Sequence, residues 1–83
     1  MGIKTRRVGF TFDDQSVRTL EQMTEEGKYT SMADCVRESL QITRALQLHA
    51  RRGFTQVIMR RPDGGTFEKE IVIPRLLIFK AQQ

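Results

Sequence analysis

Between Arg6 and Phe12 the chain reads R-R-V-G-F-T-F, and Val8, Phe10 and Phe12 alternate with Arg7, Gly9 and Thr11. A period of two is that of an extended strand, so the apolar set falls on one face and the other set opposite. A lone strand with one apolar face has no stable form in water. Nothing adjacent in sequence offers it a mate, because two helical patterns follow at once. Its own copy in a second chain is the simplest mate, and this need constrains the fold more than any other feature.

Eighty-three residues make one small domain. A chain of that size gains from a partner subunit, a metal or a disulfide. Cys35 is the only cysteine, which excludes a disulfide within the chain, and His49 is the only histidine. The two fall short of a metal-ligand set, so no metal and no cofactor are expected. Oligomerisation is the remaining route. No apolar run approaches the roughly 18 residues of a membrane span. The N-terminus leads from Lys4, Arg6 and Arg7 into acidic residues and lacks the apolar segment of a signal peptide. With a free thiol as well, the expectation is a cytoplasmic protein with no membrane partner.

The net charge is +4, and its placement carries more than its size. Residues 1–12 hold three bases and no acid, whereas residues 13–30 hold two bases against five acids. Residues 31–53 and 54–83 are each basic by two charges. A basic arm on the strand beside an acidic first helix suits a polyanion approaching one edge of the fold.

Asp13 and Asp14 close the strand and can cap a helix. Val17, Leu20 and Met23 then recur at helical spacing, with Arg18, Glu21, Gln22, Glu25 and Glu26 on the wet side. The pattern predicts a first helix over 14–26, stopped at Gly27 by a left-handed C-cap. After the turn Lys28-Tyr29-Thr30, Ser31 and Asp34 have capping-box spacing. Met32, Cys35, Val36, Leu40, Ile42, Ala45, Leu46 and Leu48 spread over more than one stripe of a second helix, 31–52. Such a helix touches both its own first helix and a partner subunit. His49, Arg51 and Arg52 suit its last turn, and Gly53 ends it.

Beyond Gly53 the character changes. Phe54–Arg61 and Thr66–Ile73 flank Pro62-Asp63-Gly64-Gly65, a strong turn signal, and together predict a β-hairpin. Pro74 is expected to end its second strand. For Arg75–Lys80, carrying L-L-I-F, three states stay open: a further strand, part of an interface, or a loosely packed end. The chain thus divides into residues 1–53 and a C-terminal hairpin with an apolar tail, 54–83, packed on or extending the same domain.

The order strand, acid-capped helix, short turn and Ser-capped longer helix is carried by V-G-F-T-F-D-D, V-R-T-L-E-Q-M and G-K-Y-T-S-M-A-D-C-V-R-E-S-L. Over residues 4–50 it resembles the ribbon–helix–helix family of bacterial repressors, of the Arc, MetJ and CopG type. The resemblance implies an α+β fold, an intertwined ribbon–helix–helix homodimer, here with an added C-terminal β-hairpin. It implies a regulator, most simply a repressor, whose two paired strands lie in the major groove of double-stranded DNA, which admits a two-stranded ribbon. Arg7, Gly9 and Thr11 would face the bases, and Val8, Phe10, Phe12, Leu20, Val36 and Leu40 would form the dimer core. Ser31, Met32 and Ala33, at the start of the second helix, would hold a phosphate through N–H groups. Lys28 and Tyr29 in the turn, and Lys4 and Arg6 in the arm, would add phosphate contacts. The family usually places a polar side chain where Gly9 stands. Close approach of the backbone, relaxed specificity and lost DNA binding are the three consequences open there.

Two other classes remain. An antitoxin, or another protein-interaction module, would use the C-terminal region to hold a partner protein, with or without DNA. A bare dimerisation scaffold would bind no DNA at all. A hairpin could also pair edge to edge into a tetramer. No nucleophile–base spacing and no phosphate-cradling glycine loop is present, so no catalytic residue and no enzyme activity are expected.

Overall fold

A computed structural model of the chain describes residues 3–79. It is a small α+β fold: helix α1 (Asp14–Glu26), helix α2 (Met32–Ala50), strands β1 (Val57–Arg60) and β2 (Glu68–Ile71), and a short helix α3 (Pro74–Leu77). The residues cluster into two compact units, Met1–Arg37 and Glu38–Gln83, with the division falling inside α2. No helix among the described residues is long and apolar enough to cross a membrane.

The first unit opens with a segment that is neither helix nor strand, followed by α1. Asp13 is the N-cap in β conformation, and its carboxylate accepts the Ser16 N–H at 2.7 Å. Leu20 and Thr24, one turn apart, are the half-buried residues of α1. The helix ends where the sequence predicts, but by a different device. Gly27 has a right-handed φ of −80°, and the left-handed residue is Lys28, at φ 56°. Lys28 N–H bonds to Glu25 O and Tyr29 N–H to Thr24 O, the paired bonds of a Schellman motif. Glycine at 27 instead leaves room for Tyr29: a Cβ there would lie 2.4 Å from its Cε2, so the ring would have to move.

A lysine in the left-handed region costs about 1–2 kcal/mol relative to its right-handed form. Lys28→Gly is therefore expected to stabilise the protein by about 0.5–1 kcal/mol, once the extra unfolded-chain entropy of glycine is subtracted. Denaturant midpoints of the two proteins check this. An unchanged or lower midpoint would mean that the lysine side chain contributes more than its backbone costs.

Helix α2 is capped as Ser31 forecasts: its Oγ accepts the Asp34 N–H at 3.1 Å. Along α2 the covered positions are Asp34, Cys35, Ser39, Leu46, Gln47 and Ala50, with Cys35 and Ala50 fully buried. Val36, Leu40 and Leu48 stand on the exposed side. A second Schellman motif ends the helix, with Gly53 N–H on Ala50 O and Phe54 N–H on His49 O. Gly53, at φ 102°, holds the left-handed place that Lys28 fills after α1. The His49 and Phe54 rings meet edge to face with centroids 6.3 Å apart, closing the motif.

The second unit continues into the predicted hairpin. β1 and β2 are antiparallel, pairing Val57 with Ile71, Ile58 with Glu70, Met59 with Lys69 and Arg60 with Glu68. Both strands are shorter than the expected 54–61 and 66–73, and the causes are local. Phe54 is taken by the stop of α2, and Ile73 serves as N-cap of α3, its carbonyl accepting the Leu76 N–H. At the tip Gly64 has φ 84° and Asp63 Oδ1 accepts the Gly65 N–H at 2.9 Å. Pro74 lies past the end of β2 and opens α3, where its missing N–H costs nothing. None of the three states open for the apolar tail was a helix, yet α3 buries Leu76. Lys80, at the end of that stretch, lies outside the described residues.

Candidate nucleic-acid interface

Residues 3–12, ahead of α1, are solvent-exposed and form neither helix nor strand in the single chain, so the strand expected over Arg6–Phe12 is not present there. The Phe10 and Phe12 rings stand 6.3 Å apart, tilted at 51°. Val8 is 65% exposed, Phe10 74% and Phe12 54%. Three large apolar groups in alternation are thus bare within one chain. Arg7, Gly9 and Thr11 occupy the intervening positions and are exposed as well. A Cβ built on Gly9 meets no atom within 4 Å, so packing within the chain gives no reason for a glycine there. Lys4 and Arg6 precede this segment, also exposed.

The start of α2 is the second cluster. Met32 and Ala33 lie in the first turn, whose N–H groups have no acceptor inside the helix. Asp34 sits beside them, and its carboxylate accepts from the Thr30 hydroxyl and from Arg37, the latter at 2.5 Å. The Thr30 bond foremost, and then Arg37, hold the Asp34 carboxyl below its ordinary value. The Asp13 carboxyl is lowered likewise by its bonds to Ser16. At the mouth of α2 the anion is therefore matched by a cation of the same helix.

Lys28 and Tyr29 complete the turn between the helices. Lys28 is exposed, while Tyr29 is half-buried with its ring over Gly27. Of the expected core residues in the first unit, Leu20 is half-buried and Val36 exposed; Leu40, in the second unit, is exposed. The thiol of Cys35 is enclosed.

The pairings that sequence reasoning misses include Thr30 with Asp34, Arg37 with Asp34, and Arg60 with Glu68. The first two follow from spacings of four and three residues around a helix start. In the third, Arg60 Nη2 and Nε lie 2.6 and 2.9 Å from Glu68 Oε1, across the hairpin. That pair was legible once the turn was centred on 64. No group of three or more His, Cys, Asp or Glu among the described residues is placed to hold a metal ion. No protein-family profile, curated protein or solved structure matches the chain.

Proposed function

We propose that the chain is a ribbon–helix–helix DNA-binding protein: a homodimer that pairs residues 6–12 of two subunits and lays the ribbon in a major groove. It acts in the cytoplasm as a transcriptional regulator, most simply a repressor. One observation carries this reading. The segment ahead of α1 exposes an apolar face of Val8, Phe10 and Phe12 and, in the alternate positions, Arg7, Gly9 and Thr11.

Burying one such apolar side chain contributes about 1.5–3 kcal/mol. A second copy of the segment would supply the missing cover for all three at once. Pairing as a strand would also satisfy the N–H and C=O groups of the segment's backbone. Met32, Val36 and Val17 add exposed apolar surface in the same unit, and a monomer leaves such surface wet only at a cost in solubility. Once the apolar face is covered, Arg7 and Thr11 are directed outward as a matter of period. Lys4 and Arg6 supply sequence-independent attraction to phosphates, and the first turn of α2 supplies N–H donors.

The C-terminal region supports this reading over that of an antitoxin. A ladder of four residue pairs, a cross-strand ion pair and a buried Leu76 describe a region with its own order. A toxin-wrapping tail would be expected to gain its structure from the toxin.

The test joins mass to protection. Sedimentation at micromolar concentration is expected to give twice the chain mass. Footprinting on the DNA upstream of its own gene is expected to show a compact protected site. A folded monomer, or a dimer that protects nothing, would overturn the proposal.

A further inference from the structure

The hairpin has two chemically different faces. Pairing alternates, so Ile58–Glu70 and Arg60–Glu68 share one face while Val57–Ile71 and Met59–Lys69 share the other. On the first face Arg60 is held by Glu68, and Glu70 leaves a surplus of negative charge. On the second, Met59, Phe67, Lys69 and Arg61, with Arg60, line a shallow groove of about 200 Å³. Phe67 is 80% exposed there. Among the described residues no carboxylate pairs with Arg61 or Lys69. The tip carboxylate, Asp63, is engaged by the Gly65 N–H.

We propose that this face is a second duplex-DNA contact, in which Arg61 and Lys69 hold backbone phosphates and Phe67 lies against the sugars between them. It rests on the DNA-binding reading above and deepens it, adding a contact on residues that the ribbon does not use. The occupant follows from charge and shape. Two cations without a carboxylate partner, lining one groove with an exposed aromatic ring, fit a polyanion that also offers apolar sugar surface. The narrow tip, turned at Gly64 with no bulky side chain from 63 to 65, can enter a groove that a broader element could not. Lys4, Arg6 and Arg7, the bases of the basic arm, suit the same ligand.

The test compares three double variants of the full chain on one fluorescein-labelled duplex carrying the upstream DNA. They are Arg61→Gln with Lys69→Gln, Arg7→Ala with Thr11→Ala, and Arg18→Gln with Arg44→Gln as a charge control. The hairpin pair is expected to bind about tenfold more weakly at moderate salt. Each phosphate neutralisation lost lowers the log–log salt slope by about 0.9, so a dimer should lose roughly 2–4 units. Phe67→Ala should weaken binding with the slope unchanged. The control pair should stay within about twofold of the parent.

If the hairpin pair binds like the parent while the ribbon pair does not, the hairpin proposal is wrong and the ribbon reading stands. Equal losses in the hairpin and control pairs would assign the effect to net charge and overturn the proposal. A parent that fails to bind the duplex removes both. If the hairpin pair instead lowers the sedimenting mass at unchanged DNA affinity, the face is a contact between copies of the chain.

Discussion

Replacing Arg7 and Thr11 together by alanine is expected to weaken binding to the specific duplex by at least about 100-fold, with folding and dimerisation unchanged. A good bidentate contact to a base is worth about 1–3 kcal/mol of discrimination. Each variant dimer loses two arginines and two threonines, and a factor of ten corresponds to about 1.4 kcal/mol. On a random-sequence duplex the loss should be much smaller, confined to the charge of Arg7, with a salt slope lower by about 1.8. The diagnostic is therefore the ratio of the two losses. Because both side chains are exposed and neither closes a contact within the chain, unfolding is not a competing explanation. A variant that discriminates between the two duplexes as well as the parent would show that another surface reads the bases.

Phe10→Ala is expected to be the most damaging single substitution outside the buried residues. In one chain the ring is 74% exposed, and removing an exposed side chain usually changes stability by less than about 0.5 kcal/mol. Between two paired strands the same ring is core, and a buried Phe→Ala change costs about 3–5 kcal/mol. For a chain of this size that is a fall in thermal midpoint of roughly 15 °C or more. The parent midpoint should also rise with protein concentration, and that dependence should weaken in the variant as the dimer dissociates. A midpoint within two degrees of the parent would place Phe10 on the surface of the working protein and remove the ribbon.

Helix limits were legible because short polar caps have one job. Asp13 and Ser31 each satisfy an N–H of the first turn, and Gly53 takes the left-handed place that closes α2. Gly27 looks identical to Gly53 in sequence and acts differently, because Tyr29 needs the space over it. Nothing in the preferences of lysine announces that residue 28 will adopt positive φ. The hairpin was legible from its turn, but its strand ends were not. Phe54 and Ile73 suit a strand by type and are claimed by neighbouring helix ends. A four-residue helix such as α3 is too short for periodicity to register, and Pro74 reads as readily as a strand stop as a helix start. As for the candidate site, the proposed pairing would be a property of two chains. The alternation from Val8 to Phe12 is the part of it that one chain writes down.

Gly9 has a consequence of a different order. It stands between Arg7 and Thr11 with no atom within 4 Å of where a side chain would begin. On the proposed ribbon that position would be a blank among the side chains that face the bases. Within one chain a side chain there meets nothing, so on the proposed ribbon a new operator preference could be acquired at this position without repacking the chain's own interior. Recognition and foldability, which usually constrain each other at a binding surface, are separable at this residue.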